Sequence, residues 1–357
     1  MHSLPTPAFL INLSTLRRNA ERMREKARAV GFRPHVKTHK AVEIGRVQHG
    51  GGIGPITVST LAEAEFFADG GFRDITYAFP IAPEKLARAG ELARRIDRLN
   101  LLIDNEAALR ALEAFHRAQG VVFDVFLKVD CGYHRAGVDP ASPDAARLAL
   151  AMADSPALRF HGLLTHAGHS YDAKSRDEIL RIAAEETSSL TRFRALLGLE
   201  SLTRSVGSTP TLSMVESFVD CDEVRPGNYI FYDAFQASIG ACELRDCAVS
   251  VLSTVVGSYP ERNAMIVDAG ALAMSKDHGA GENYGVVCDL DLNPLPMKLA
   301  ALSQEHGKIQ TESPLPVGAQ VRIIPNHSCL TSAMFDVFQV VDDEGRVVDQ
   351  WKPARGW

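Results

Sequence analysis

A basic segment near the amino terminus is the first candidate for chemistry. Residues 33–40 read Arg-Pro-His-Val-Lys-Thr-His-Lys and place Lys37 among Arg33, His35, His39 and Lys40. The segment follows a short apolar run, so we expect Lys37 to project from the carboxyl end of a strand. Neighbouring cations and partial burial both lower the pKa of an amine, and a neutral amine is what a Schiff-base lysine needs. A solvated basic loop is the alternative interpretation.

A second candidate lies far away in the chain, in the stretch Pro-Asn-His-Ser-Cys at 325–329. On an extended chain, residues two positions apart share a face, so His327 and Cys329 can hold one ion. Imidazole and thiolate together favour Zn²⁺; Mn²⁺ or another divalent ion is the alternative metal. Two protein ligands would leave positions open for water or substrate. A buried cysteine beside a hydrogen-bonded histidine is the interpretation without a metal.

The elements that must position these residues alternate between strands and helices over the first two-thirds of the chain. Helical spacing of Leu16, Ala20 and Met23 predicts one amphipathic helix, and Thr60 with Glu63 predicts the capped start of another. About eight strands separated by helix-length segments are typical of a (β/α)8 barrel. The expected strands are 32–36, 56–58, 75–79, 99–103, 122–129, 159–164, 202–206 and 223–225.

After about residue 240 the pattern changes to short β-branched runs with turn signals between them. We therefore predict an α/β chain of two domains. An N-terminal TIM-type (β/α)8 barrel covers 12–240, and an all-β domain covers 241–357. The strand in residues 1–11 is expected to join the second domain.

Chemically useful residues follow several of the predicted barrel strands. The carboxyl ends of barrel strands face the active site, and the loops after strands seven and eight commonly bind phosphate. A lysine together with a phosphate-binding loop indicates pyridoxal 5′-phosphate. The set comprises Lys37 after the first strand, Arg135 after the fifth, His166, His169 and Tyr171 after the sixth, Gly207, Ser208 and Thr209 after the seventh, and Gly227 and Asn228 after the eighth.

Composition excludes several classes of protein. A net charge of −6 argues against a nucleic-acid partner, and no apolar run approaches the roughly 18 residues of a membrane helix. The six cysteines show no CxxC spacing, so reduced thiols and a cytoplasmic location are expected.

These motifs give the chain a resemblance to a known family. The segment 34–40, the stretch from Asp130 to Gly137, the loop 225–229, the stretch 303–307 and the stretch 325–329 resemble the D-serine dehydratase / D-threonine aldolase family. That family is the metal-dependent branch of the alanine-racemase-like, fold type III pyridoxal phosphate enzymes. The resemblance covers essentially the whole chain and implies a homodimer.

The resemblance also implies a role for each candidate. Lys37 would carry pyridoxal phosphate, and Lys40 would lie near the cofactor without bonding to it. Arg135 would contact the cofactor's phenolate oxygen, and His166 would stack on the cofactor ring. The phosphate would be held by Gly207, Ser208, Thr209, Gly227 and Asn228, with Tyr171 nearby, and the metal by His327 and Cys329. The role of Arg225 stays open.

The implied reaction is loss of the β-hydroxyl from a D-3-hydroxy amino acid, which gives a 2-oxo acid and ammonia, as in D-serine dehydratase. The alternative is D-threonine aldolase-type cleavage to glycine and an aldehyde, with His169 or Tyr171 as the base. Cys329 favours the dehydratase, because the aldolases carry an aspartate there. A non-catalytic pyridoxal phosphate-binding protein is a third interpretation, which the β domain disfavours.

Overall fold

A computed structural model describes residues 4–278 and 282–357 of the chain. The chain divides into two compact units. Residues 22–227 and 354–357 form the barrel unit, whereas residues up to 21 and residues 228–353 form the β unit. The division expected at 240/241 stays a prediction. In the described part of the chain, no helix is long and apolar enough to cross a membrane.

The first two elements are the strand β1 (Ala8–Asn12) and the helix α1 (Leu13–Lys26). Asn12 begins the helix, because its Oδ1 accepts a hydrogen bond from the backbone N–H of Thr15 at 2.8 Å. Leu16 and Met23 lie on the buried face of α1, so the predicted amphipathic helix is confirmed.

A parallel sheet of eight strands forms the barrel unit, in the order β2-β9-β8-β7-β6-β5-β4-β3. A bridge between His35 and Thr57 joins the end of β2 to β3 and closes the ring. The predicted (β/α)8 barrel is therefore confirmed. The strands are β2 (Gly31–Phe32), β3 (Ile56–Val58), β4 (Asp74–Pro80), β5 (Arg98–Ile103), β6 (Phe123–Lys128), β7 (Leu158–Leu164), β8 (Thr203–Val206) and β9 (Glu223–Val224).

Helices alternate with these strands along the chain. Several begin at a residue whose side chain accepts a helix N–H, as Thr60 does from Glu63 and Asn105 from Ala108. Central strands such as β6 are buried along their whole length, as expected for parallel strands covered on both faces. The helices are α2 (Val42–Gln48), α3 (Leu61–Asp69), α4 (Leu86–Ala93), α5 (Glu106–Gln119), α6 (Pro143–Asp154), α7 (Arg176–Leu197) and α8 (Thr209–Met214).

The β unit is a nine-stranded, mostly antiparallel sheet in the order β11-β14-β13-β12-β15-β10-β1-β16-β17. Strand β10 also pairs with β11, which closes part of the sheet into a ring. Strand β1 pairs with β10 and β16 in this sheet. The strands are β10 (Val249–Tyr259), β11 (Ala264–Val267), β12 (Gly285–Cys288), β13 (Pro294–Leu302), β14 (Gly307–Gln310), β15 (Gln320–Pro325), β16 (Phe338–Val341) and β17 (Val347–Trp351), with helices α9 (Ala234–Ser238), α10 (Ala271–Met274) and α11 (Ser328–Ala333).

Candidate active site

Lys37 lies just after the first barrel strand, as predicted, but on a short 3-10 helix, Val36–Thr38, rather than on the strand itself. The turn is fixed because the imidazole of His35 accepts a hydrogen bond from the Lys37 backbone N–H at 3.3 Å. The Lys37 residue is exposed. The partial burial expected for it was wrong, since the 3-10 turn directs the neighbouring Val36 and Thr38 into the core instead.

The basic residues next to Lys37 in sequence do not surround it with positive charge. Arg33 is buried in ion pairs with Asp74 and Glu223, each at 2.6 Å. Burial lowers the pKa of His39 to about 3, so its ring is neutral at pH 7. The charge crowding predicted from the segment was therefore wrong for these two residues, because partners distant in sequence or burial neutralise them.

Cations from other strand ends take their place. Burial, and after it the positive charge of Lys37, lowers the pKa of both His35 and His166 well below the usual value. Burial and then the charge of Arg225 lower the pKa of Lys128, at the end of β6, to about 8. Arg135 acts on His166 in the same direction. A cluster of cations and neutral imidazoles fits an anionic cofactor such as a phosphate ester.

His166 follows β7 and is held by the loop after β8. Its Nδ1 lies 2.6 Å from the carbonyl oxygen of Gly207, which can only accept, so Nδ1 carries the proton and Nε2 is the acceptor. Arg225 is buried beneath it and donates to the hydroxyl of Ser205 at 2.5 Å and to the carbonyl of Thr165. The sequence left the role of Arg225 open. Its hydrogen bonds link the carboxyl ends of β7 and β8 next to His166.

Tyr133 belongs to this cluster and was missed by the sequence reasoning. Its ring stacks on His169, with centroids 6.2 Å apart, and meets His166 edge-on at 6.1 Å. The guanidinium of Arg135 lies 5.0 Å from the same ring. Its place two positions before the predicted Arg135, in the stretch from Asp130 to Gly137, is a sequence signal that could have found it.

His169 and Tyr171 lie together on a second 3-10 helix, Gly168–Tyr171. The Nδ1 atom of His169 is buried and has no hydrogen-bond partner among residues 4–278 and 282–357. An imidazole nitrogen in this state fits a ligand or a proton-transfer role. Both residues thus stay candidates for the base.

The predicted phosphate loops are engaged in contacts of their own. Gly207 donates its N–H to Glu186 at 3.1 Å. Ser208 begins α8, its hydroxyl accepting from the N–H of Thr211 at 3.3 Å, and Thr209 is the first residue of that helix. Gly227 packs against the lysine loop, since a Cβ atom there would lie 3.2 Å from the Cβ of His35. The loop at Gly227 therefore meets the segment that carries Lys37.

The predicted metal pair lies in the β unit. His327 has an extended backbone and precedes α11, whereas Cys329 lies in the first turn of that helix. The extended geometry assumed for both residues was therefore wrong. The two side chains nevertheless form a hydrogen bond, so the helical turn still brings imidazole and thiol together.

Charge around His327 favours a cation. Its Nδ1 lies 2.5 Å from Oδ2 of Asp277, the carboxylate–histidine arrangement typical of metal ligands. Burial opposes a charge on the ring, but the hydrogen bond and charge of Cys329, then the carboxylates of Asp233 and Asp277, raise the pKa of His327 to about 10. The described ranges contain no group of three or more histidine, cysteine, aspartate or glutamate side chains placed to hold a metal.

Asn228, predicted to bind phosphate, places its side-chain amide in the β unit. Its Nδ2 donates to Asp233 at 2.7 Å and to Ser328 at 2.9 Å, and lies 3.8 Å from the sulfur of Cys329. Its side chain thus supports the metal pair; a contact with the phosphate stays a prediction.

Known proteins resemble this chain over its full length. Residues 11–234 match the N-terminal domain of alanine racemase, and residues 248–341 match a serine dehydratase domain. D-serine dehydratase of Dictyostelium discoideum is 38% identical over 393 residues, covering 100% of this chain and 98% of that protein. The chain belongs to the D-serine dehydratase family.

Two further members place it within that family. D-threo-3-hydroxyaspartate dehydratase of Delftia sp. is 38% identical over 99% of this chain and 98% of that protein. Its solved structure has a TM-score of 0.93 and covers 100% and 99% of the two chains, which confirms the alanine-racemase-like fold. A cysteine-to-alanine mutant of that dehydratase was solved in the metal-free form. D-threonine aldolase of Arthrobacter sp. is 30% identical, over 99% and 93% of the two chains.

Proposed function

We propose that this chain is a pyridoxal phosphate- and metal-dependent lyase that removes the β-hydroxyl of D-3-hydroxy amino acids, most closely as a D-serine dehydratase does. The observation that carries the proposal is the pairing of an imidazole and a thiol at His327 and Cys329, in a chain 38% identical to two dehydratases. The solved mutants of the Delftia enzyme replace a histidine and a cysteine two positions apart, the spacing of this pair.

The barrel unit supplies the residues that would hold pyridoxal phosphate. When bound, the cofactor supplies an electron sink for negative charge at the substrate Cα. Lys37 would carry it, and the Lys37 amine is the group that takes the α-proton. His166 presents an uncharged ring, because burial and then the nearby cations lower its pKa, and its one ring proton is donated to Gly207. Arg135 and Lys128 supply positive charge for anionic groups of the cofactor or substrate.

The β unit supplies the metal ligands. A divalent ion held by His327 and Cys329, Zn²⁺ by the chemistry of the donors, would act as a Lewis acid for a departing hydroxyl group. Asp277 holds the His327 ring through Nδ1, which fixes the proton on that nitrogen and leaves Nε2 to act as a ligand. Asn228 stabilises the Cys329 thiolate by its N–H.

A product assay tests the proposal. Purified protein loaded with pyridoxal phosphate and zinc is incubated with D-serine, D-threonine and D-threo-3-hydroxyaspartate. We expect a 2-oxo acid and ammonia in equal amounts, and no reaction with the L-amino acids. Absence of both products from all three D-substrates would refute the proposed dehydratase activity.

Aldolase cleavage is the second candidate, favoured by one observation. The buried Nδ1 of His169, which lacks a partner among the described residues, could receive the hydroxyl proton that a retro-aldol reaction releases. Glycine and acetaldehyde from D-threonine would establish this reaction. A protein that binds the cofactor but turns over no D-amino acid would instead be the non-catalytic binder.

Assembly and location are also part of the proposal. The family resemblance supports a homodimer, and the sparse cysteines support a reducing, cytoplasmic compartment. Light scattering at micromolar concentration checks the first: a monomer would contradict it.

A further inference from the structure

Glu186 is a buried acid in the middle of α7, and the reaction proposed above does not use it. Its side chain is 1% exposed. One oxygen, Oε1, accepts three hydrogen bonds: from the hydroxyl of Thr165 at 2.9 Å, the N–H of Ala167 at 3.1 Å and the N–H of Gly207 at 3.1 Å. Such a concentration of donors on one buried oxygen is costly to disrupt.

These donors come from two different strand ends. Thr165 and Ala167 are the residues on either side of His166, after β7, whereas Gly207 follows β8. His166 in turn donates from Nδ1 to the carbonyl of Gly207 at 2.6 Å. Glu186 and His166 therefore close a ring of hydrogen bonds that couples the two loops.

We propose that Glu186 is a positioning residue that sets the ring of His166 and the adjoining loop 207–209 for the bound cofactor. The inference rests on the proposed function, because it assumes that this face of the barrel binds pyridoxal phosphate. Glu186 touches neither cofactor nor substrate; it acts through the three donors. Rigid support behind a binding group is what keeps it within the narrow range of productive geometry.

A second contribution is electrostatic. The negative charge of Glu186 acts on Lys128 and on Arg225, both of which are buried. The other acid acting on Arg225, Glu223, is already ion-paired with Arg33 at 2.6 Å. Glu186 thus partly offsets the positive charge of these two buried residues. The exposed cations of the site remain available to attract an anion.

Four variants, one of them a control, separate these contributions. Glu186→Gln keeps an acceptor oxygen and the shape of the side chain but removes the charge, whereas Glu186→Ala removes all three hydrogen bonds. Glu185→Gln is the matched control, because Glu185 is the preceding residue on α7, half exposed, and paired only with Arg181 at 2.6 Å in the described structure. Thr165→Val removes one of the three donors and serves if Glu186→Ala does not fold.

The readouts are the dissociation constant of pyridoxal phosphate and the visible circular dichroism of the bound cofactor, which reports its orientation. We expect Glu186→Ala to weaken cofactor binding at least tenfold and to change the dichroism, and Thr165→Val to act in the same direction more weakly. Glu186→Gln keeps an acceptor oxygen and loses only the charge, so it should change the dissociation constant measurably but less than Glu186→Ala does. Glu185→Gln should match wild type in both.

Two failures are distinguishable. If wild-type protein binds no pyridoxal phosphate, the proposed function is refuted, and the inference with it. If wild type binds the cofactor and Glu186→Ala (or Thr165→Val, where the alanine variant does not fold) keeps the wild-type dissociation constant and dichroism, only the positioning role is refuted, even when thermal stability is reduced.

Discussion

The Nζ atom of Lys40 lies 2.9 Å from Oε1 of Glu63, a carboxylate that is almost fully buried. The other oxygen of Glu63 accepts the backbone N–H of Ser59 at 2.8 Å, which fixes the carboxylate at the start of α3. A lysine whose Nζ is engaged by a buried carboxylate in this way is not free to form a Schiff base. Of the two lysines in the basic segment, Lys37 is therefore the one to which we assign the cofactor.

This assignment predicts opposite results for two substitutions. Lys37→Ala should abolish the visible absorption of bound pyridoxal phosphate, because no amine remains to bind it covalently. Lys40→Ala should keep the absorption band but lower the free energy of unfolding by up to about 3 kcal/mol, because it leaves a buried carboxylate unpaired. Absorption spectra and urea unfolding measure the two effects.

Lys37→Arg is the control for charge, since it keeps a cation without a nucleophilic amine. Its visible band should be lost as completely as in Lys37→Ala. An absorption band that survives in both Lys37 variants and disappears in Lys40→Ala would show that the cofactor is bound to Lys40 instead.

Asp277 should control metal affinity without being a ligand in the proposed pair. Its carboxylate holds Nδ1 of His327 at 2.5 Å, so Asp277→Asn weakens the bond that orients the imidazole. Loss of such a partner typically costs about 10–100-fold in metal affinity. Competition with a chromogenic chelator measures it.

Asp291→Asn, a change at an exposed aspartate of the same unit, is the matched control and should leave zinc affinity unchanged. Equal affinities in the wild type and the Asp277 variant would show that the hydrogen bond does not support a metal ligand.

Removal of the metal should separate turnover from cofactor binding. Different residues are proposed for the two groups, Lys37 for the cofactor and His327 with Cys329 for the metal. EDTA should therefore abolish 2-oxo acid formation while the visible band persists, and added Zn²⁺ should restore activity. Full activity after exhaustive chelation would exclude the metal from the reaction.

The barrel could be predicted from sequence because its strands are short apolar runs at regular intervals, and a strand end is defined by local pattern alone. The placement of Lys37, His166 and Gly207 just after the carboxyl ends of β2, β7 and β8 follows from that periodicity. The candidate metal pair could also be proposed from local sequence, because His327 and Cys329 are only two positions apart, although the helix at Cys329 was not foreseen.

Charge compensation could not be predicted, because it depends on partners that only the fold brings close. Arg33 meets Glu223 across 190 positions, and Asp277 meets His327 across 50. Glu186 lies on a helix in an otherwise ordinary amphipathic pattern, and nothing in that pattern marks its three donors. Sequence reasoning therefore identified the groups that could react but not those that hold them in place.

Gly168 is required by the ring of Tyr133. A Cβ atom at position 168 would lie 2.2–2.6 Å from three carbons of that ring, so Gly168→Ala should displace Tyr133 from His169 and His166. We expect the free energy of unfolding to fall by about 1–3 kcal/mol, with weaker cofactor binding. Urea unfolding and cofactor titration measure both.

A smaller side chain at position 133 should relieve the clash. In the double variant Gly168→Ala with Tyr133→Leu, the stability loss from the alanine should be smaller than in the wild-type background. Simple additivity of the two changes in unfolding free energy would mean that the ring does not abut position 168.

His39 should make the stability of the barrel depend on pH. It is buried, with Nε2 3.2 Å from Oε1 of Gln48 and Nδ1 accepting the N–H of Ala41 at 3.1 Å. Burial lowers the pKa of His39 from 6.5 in the unfolded chain to about 3 in the folded one. The unfolded chain therefore binds the extra proton first, so the contribution of His39 is complete above pH 6.5 and is lost as the pH falls towards 3.

His39→Asn should flatten this dependence. Below about pH 6, protonation of His39 on unfolding should lower the free energy of unfolding of the wild type by up to about 1.4 kcal/mol for each pH unit of acidification. The variant should lack this decrease. His306→Asn, at an exposed histidine, is the control and should keep the wild-type slope. Parallel pH profiles for wild type and His39→Asn would show that His39 is not kept neutral in the folded barrel.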